Sequence, residues 1–80
     1  MATAQTVATW MVTQIQERGC VSQRTMSHEI KDNFGEEFTY RNHRGRLAID
    51  KLVLREFGKL KQGRARWDKK RRWWYREPVN

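Results

Sequence analysis

Residues 64–76, with the sequence RARWDKKRRWWYR, decide the fold of this chain because they have the pattern of a β-hairpin. Residues 64–67 alternate between polar and apolar side chains, and residues 72–76 are rich in the aromatic types that favour strands. The intervening residues 68–71 contain no apolar side chain and predict a turn. Four consecutive cations lie at or just after this turn: Lys69, Lys70, Arg71 and Arg72. A compact fold is not stabilised by adjacent like charges, so they point to a binding partner.

A helix is predicted before this hairpin, within residues 47–62. One face of it is apolar at helical spacing and consists of Ile49, Val53, Phe57 and Leu60. The reverse face carries a stripe of cations at positions i, i+4 and i+8, namely Lys51, Arg55 and Lys59. A basic turn precedes the helix and contains Arg41, Arg44 and Arg46. Residues 36–40, before that turn, fit either a short strand or an anchored loop.

Two further amphipathic helices are predicted in the N-terminal part of the chain. The first covers residues 4–18, with Thr3 as its N-cap and Gly19 at its C-terminal end. A short extended bridge follows, and the second helix begins after the N-cap Ser22 and ends near Gly35. The apolar residues that recur at helical spacing in these two helices are Val7, Ala8, Met11, Ile15, Met26, Ile30 and Phe34.

The order of these elements is helix, short strand, helix, helix and hairpin, which is typical of a winged helix-turn-helix domain. We therefore predict a mainly α fold with a small β-hairpin as its wing. Eighty residues allow one domain, residues 1–80, with an ordered core at about residues 4–77. The aromatic face of the hairpin is expected to cover the helices. The remaining predicted core residues are Val21, Trp67 and Trp74.

The run LAIDKLVLREF at residues 47–57, with Trp67 and the segment WYREP at residues 74–78, resembles a small, largely uncharacterised family of bacterial and phage proteins. The likeness extends from about residue 7 to Pro78. Members are single-domain proteins of similar length, so the resemblance implies a winged-helix-like fold and, on its own, no activity. Residues 35–46 depart from a compact helix-turn-helix, because they exceed its turn of three or four residues.

The charge of the chain is unevenly distributed. Its net charge is +8, and its isoelectric point is about 10.4. Residues 1–40 hold three bases and five acids, whereas residues 41–80 hold 14 bases and four acids. This asymmetry predicts a supporting half and a half that binds an acidic partner. A uniformly solubilising surface is the alternative interpretation.

Duplex DNA is the partner that this pattern favours. In a winged-helix protein the third helix enters the major groove, and Lys51, Arg55 and Lys59 are placed for that role. The wing cations Lys69, Lys70, Arg71 and Arg72 would grip phosphates, as would Arg41, Arg44 and Arg46 at the start of the helix. The alternative is an adaptor, for example a phage protein that inhibits a host machine. It would bind an acidic protein through the wing, Trp73 and Tyr75. Single-stranded nucleic acid or RNA is a third hypothesis, based on those two aromatics alone.

Several other classes of function lack sequence support. No stretch is apolar enough to span a membrane, and the N-terminal residues lack a secretory signal, so we expect a cytoplasmic protein. Cys20 is the only cysteine, and we predict that it is a small buried residue. His28 and His43 lie 15 residues apart, without a neighbouring ligand set, and predict no metal site. We expect neither enzymatic activity nor a bound cofactor. The sequence leaves open whether the protein forms a homodimer.

Overall fold

The computed structural model describes residues 2–77 of the chain, which fold into three helices and five short strands. In chain order they are α1 (Ala4–Arg18), β1 (Cys20–Ser22), α2 (Gln23–Phe34), a 3-10 turn (Glu36–Phe38), β2 (Thr39–Arg41), β3 (Leu47–Ile49), α3 (Lys51–Leu60), β4 (Ala65–Asp68) and β5 (Trp73–Arg76). The domain is mixed α/β with two small antiparallel sheets, and thus contains more β structure than predicted. Pro78, included in the family resemblance, lies outside the described residues.

Local capping signals set the bounds of the first two helices. The Thr3 hydroxyl oxygen accepts a hydrogen bond from the backbone N–H of Thr6 at 3.2 Å, and Ser22 caps α2 in the same way. Gly19, with a φ of 89°, ends α1 in a conformation that favours glycine. Both predicted helices are confirmed. Within residues 2–77, none of the helices combines the length and apolar character that crossing a bilayer requires.

The segment between α2 and α3 corrects the predicted start of the third helix. Leu47–Ile49 is a strand, paired with Thr39–Arg41, and α3 begins only at Lys51. Asp50 marks the change of structure, because its carboxylate accepts a hydrogen bond from the backbone N–H of Leu52 at 3.1 Å. The long connection before the third helix is therefore a hairpin, and the basic turn is its loop, residues 42–46.

The aromatic hairpin is confirmed, and it belongs to a three-stranded antiparallel sheet with the order β1-β5-β4. Trp74 of the central strand lies opposite Val21 on one side and opposite Trp67 on the other. Arg72 was predicted to open the second strand, but it belongs to the preceding turn, with a φ of 57°. The strand begins at Trp73.

The core lies between α1, α3 and the inner face of this sheet. Phe57 meets Trp74 edge to face, with ring centroids 5.4 Å apart. Eleven of the fourteen predicted core residues are buried, while Phe34 and Leu60 lie at the margin. Trp67 is 37% exposed because it lies on an edge strand of the sheet, where it contacts Trp74 from one side. The core also contains residues that the sequence analysis missed: Val12, Phe38, Ala48 and Ala65.

Cys20 is exposed, so the prediction of a buried cysteine was wrong. Alternation along β1 turns Val21 into the core and therefore turns its neighbour Cys20 outward. Trp10 of α1 packs against Phe34 of α2, with ring centroids 5.4 Å apart.

Candidate functional site

An open cleft of about 740 Å³ lies between the start of α2, the 42–46 loop and the turn between β4 and β5. Five arginines line it: Arg24, Arg41, Arg46, Arg71 and Arg72. The neutral lining includes Ser22, Gln23 and His28, and no aspartate or glutamate is among the described residues that line it. We name this feature the arginine cleft. Its side chains offer cationic hydrogen-bond donors, so the arrangement suits an anion.

The 42–46 loop forms one wall of the arginine cleft and is organised by Asn42. The side-chain oxygen of Asn42 accepts hydrogen bonds from the backbone N–H groups of Arg44, at 2.9 Å, and Arg46, at 3.0 Å. The backbone of Asn42 bonds to Arg46 and Gly45, and the Arg41 guanidinium donates to the Gly45 carbonyl at 3.3 Å. The loop is therefore held by internal hydrogen bonds.

The turn at residues 69–72 forms the opposite wall and is organised by Asp68. One carboxylate oxygen of Asp68 accepts hydrogen bonds from the backbone N–H groups of Lys70, at 3.0 Å, and Arg71, at 3.1 Å. The backbone N–H of Arg72 donates to the Asp68 carbonyl at 2.8 Å. Each basic loop thus depends on one Asn or Asp at its first position or immediately before it, a residue type whose short side chain forms hydrogen bonds with nearby backbone groups.

The cleft contains four of the ten cations that the sequence predicted as contacts: Arg41, Arg46, Arg71 and Arg72. The other six are exposed but do not line the cleft, with Arg44, Lys69 and Lys70 on the loops and Lys51, Arg55 and Lys59 on α3. Lys59 forms an ion pair with Glu56 at 3.1 Å, and Leu52, in the first turn of α3, is 60% exposed.

Arg24 and His28 of α2 also line the cleft, and neither was among the residues predicted to bind a partner. Their position follows from the sheet, because Ser22 of β1 lies opposite Trp73 of β5. The residues after Ser22 are therefore brought next to the residues before Trp73. The pairing of the first and last strands in the predicted fold is the signal that could have identified them.

Trp73 and Tyr75, the candidate interface aromatics, are half-buried on the side of β5 away from Trp74. The Arg71 guanidinium covers Trp73 at 5.2 Å from the ring centroid. Tyr75 lies beside Arg66, whose Nε donates to the Glu77 carboxylate at 2.7 Å. That hydrogen bond raises the pKa of Arg66, and Tyr75 adds to the effect.

Metal coordination has no candidate in the described part of the chain. Within residues 2–77, no three His, Cys, Asp or Glu side chains group closely enough to hold a metal ion. His28 lies on α2, while His43 belongs to the 42–46 loop.

The model of a family of unknown function (DUF6953) matches residues 3–76. Comparison with the curated proteins and with the solved structures gave no match. The match confirms the resemblance of the sequence to a small family without an assigned activity. A bacterial or phage origin stays a prediction.

Proposed function

The chain belongs to the DUF6953 family, and we propose that it is a nucleic-acid-binding protein of the winged-helix type whose ligand is duplex DNA. The order of its elements supports the fold assignment. Three helices precede the β4–β5 hairpin, and β1 pairs with the last strand, β5, in the sheet order β1-β5-β4. The β2–β3 hairpin is an insertion between α2 and α3 in this scheme.

The observation that carries the proposal is that the ten predicted contact cations are exposed and that most of them have no carboxylate partner in residues 2–77. All ten are exposed, and only Lys59 and Arg71 have a carboxylate within 4.0 Å in residues 2–77. The Arg71 contact is itself at 4.0 Å. Eight positive charges are therefore not neutralised by carboxylates of residues 2–77. A polyanion would neutralise them and release the counterions condensed on its own phosphates.

The side-chain chemistry of arginine and lysine suggests which of these cations would contact bases and which would contact phosphates. Arg55 on α3 has the planar fork that pairs with a guanine edge, whereas Lys51 and Lys59 act as point charges towards phosphates. The turn at residues 69–72 would contact the backbone beside the groove. These phosphate contacts would supply affinity and position, and only base-edge contacts would supply sequence preference.

The half-burial of Trp73 and Tyr75 favours DNA over the alternative of an adaptor for an acidic protein. Aromatic hot spots of protein interfaces present large free surfaces, and here the Arg71 guanidinium covers one face of Trp73. The adaptor hypothesis would need both rings to become accessible when the partner binds.

Duplex affinity at two salt concentrations tests the proposal, with wild type compared with K69A/K70A/R71A. Each phosphate contact contributes about 0.9 to the slope of log K against log salt, so the triple variant should reduce the slope by roughly 2 to 3. Wild type without measurable duplex affinity at low salt would overturn the proposal, and an acidic protein partner would then be the better candidate.

A further inference from the structure

The arginine cleft concentrates like charge from parts of the chain that are far apart in sequence. Arg24 belongs to α2, Arg46 to the 42–46 loop, and Arg71 and Arg72 to the β4–β5 turn. No carboxylate is among the described lining residues, and of these four arginines Arg71 alone has a carboxylate within 4.0 Å in residues 2–77, that of Asp68. Like charges facing one open space repel each other, and a multivalent anion between them would relieve the repulsion.

The walls of the cleft are held in place before any ligand binds. Asn42 and Asp68 organise the two basic loops, and the backbone N–H of Gln23 donates to the Arg72 carbonyl at 3.0 Å. The backbone positions that carry the guanidinium groups are therefore fixed by hydrogen bonds within the protein. A ligand would need to order only the side chains, which lowers the entropic cost of binding.

We infer that the arginine cleft is a phosphate-binding site and that Arg24 and Arg46 are its principal ligands. Neither side chain makes a hydrogen bond or ion pair within residues 2–77, whereas Arg41 donates to the Gly45 carbonyl and Arg72 donates to Gln23. The guanidinium fork matches the oxygens of phosphate and can bind it in a bidentate manner. The volume of about 740 Å³ leaves room for two linked phosphate groups.

The phosphate has two sources that share this chemistry: the backbone of a nucleic acid, or a small phosphorylated molecule. With the first source the inference rests on the proposed function and deepens it, since the backbone would pass between the two basic loops. With the second source the site is independent of duplex binding. Pyrophosphate binding and duplex affinity, each measured on matched variants, separate the sources.

The first arm measures binding of pyrophosphate by calorimetry and by amide chemical shifts of the full chain. R24Q/R46Q removes two cleft charges. K61Q/R64Q is the matched control, because Lys61 and Arg64 neither line the cleft nor belong to the ten predicted contacts, and the two substitutions remove the same charge. We expect R24Q/R46Q to weaken binding at least about tenfold, and the control to change it less than about twofold. Equal weakening by both variants, or no binding by wild type, overturns the site.

The second arm measures duplex DNA affinity of R24Q against R64Q, two single variants of equal charge that lie outside the ten predicted contacts. A loss confined to R24Q supports the nucleic-acid backbone as the source. Equal affinities, together with a positive first arm, support a small phosphorylated ligand. If wild type binds pyrophosphate in the cleft but no duplex, the proposed function fails while the site stands. If the wild type binds duplex DNA but the first arm is negative, the cleft site fails while the proposed function stands.

Discussion

Gln23 and Arg72 exchange two hydrogen bonds although they lie 49 residues apart in sequence. The backbone N–H of Gln23 donates to the Arg72 carbonyl at 3.0 Å, and the Arg72 guanidinium donates to the Gln23 side-chain oxygen at a longer distance of 3.4 Å. The bonds join the start of α2 to the end of the basic turn at residues 69–72. Two walls of the arginine cleft are therefore linked directly by hydrogen bonds.

The backbone conformation of Arg72 predicts an unusual order of stability among its variants. Its φ of 57° lies in the left-handed region, which costs a side chain with a Cβ about 1 kcal/mol and costs glycine little. R72G should therefore have a free energy of unfolding about 1 kcal/mol above that of R72A in urea denaturation. Arg71 has no positive φ, so R71G should be less stable than R71A. The same order at both positions would contradict this account.

Substitutions of Asp68 can separate the effect of net charge from the effect of backbone geometry in the basic turn. D68N and D68A both raise the net charge by one, but only Asn keeps an oxygen that accepts from the N–H groups of Lys70 and Arg71. We expect D68A to lose about 1–2 kcal/mol of unfolding free energy and D68N to lose less. Under the proposed function, D68N should also bind duplex more tightly than D68A. Equal duplex affinities would mean that charge alone matters.

The positions of Trp74 on the central strand and Trp67 on an edge strand predict that the stability of the fold depends more on Trp74. Trp74 is 5% exposed and contacts Phe57 and Trp67, whereas Trp67 is 37% exposed at the sheet edge. W74A should cost about 3–5 kcal/mol, which is comparable to the whole stability of many small domains. W67A should cost less than half as much, as measured by chemical denaturation. Comparable losses would place Trp67 in the core despite its exposure.

Two exposed cations of α3 can be compared to test the proposed contact with DNA. Arg55 and Lys59 lie one turn apart, but among the described residues a carboxylate partner exists for Lys59 alone, Glu56 at 3.1 Å. R55A should reduce the salt slope of duplex binding by about 0.9, and K59A should reduce it by less, since part of that charge is already neutralised. Thermal stability should be unchanged in both, because both side chains are exposed. An unaltered slope in R55A would remove α3 from the interface.

The part of the fold that could be predicted from sequence is the part specified by local signals. Thr3 and Gly19 mark the ends of the first helix, so its bounds were predicted correctly. Leu47–Ile49 could not be identified as a strand, because Ile49 continues the helical spacing of Val53 and Phe57. Its strand character depends on pairing with Thr39–Arg41 across the loop, a contact that periodicity within one segment does not encode.

The candidate site was predictable only in its basic loops. Runs of cations identify Arg46 and Arg71 from sequence alone, but Arg24 is an isolated charge on a polar helix face. Its place in the cleft depends on the pairing of β1 with β5, more than 50 positions later in the chain. The strand order in turn follows from burying Val21 beside Trp74. The composition of the cleft is thus a consequence of core packing.

The outward orientation of Cys20 gives the molecule a built-in attachment point. It is the only thiol in the chain, it is exposed, and it lies on an edge strand two residues before the cap of α2. A maleimide dye would therefore label a single defined position without any engineered mutation, on the strand that leads to the wall of the cleft. The same accessibility means that oxidation in air can join two copies covalently, so a reductant belongs in every assay of molecular mass.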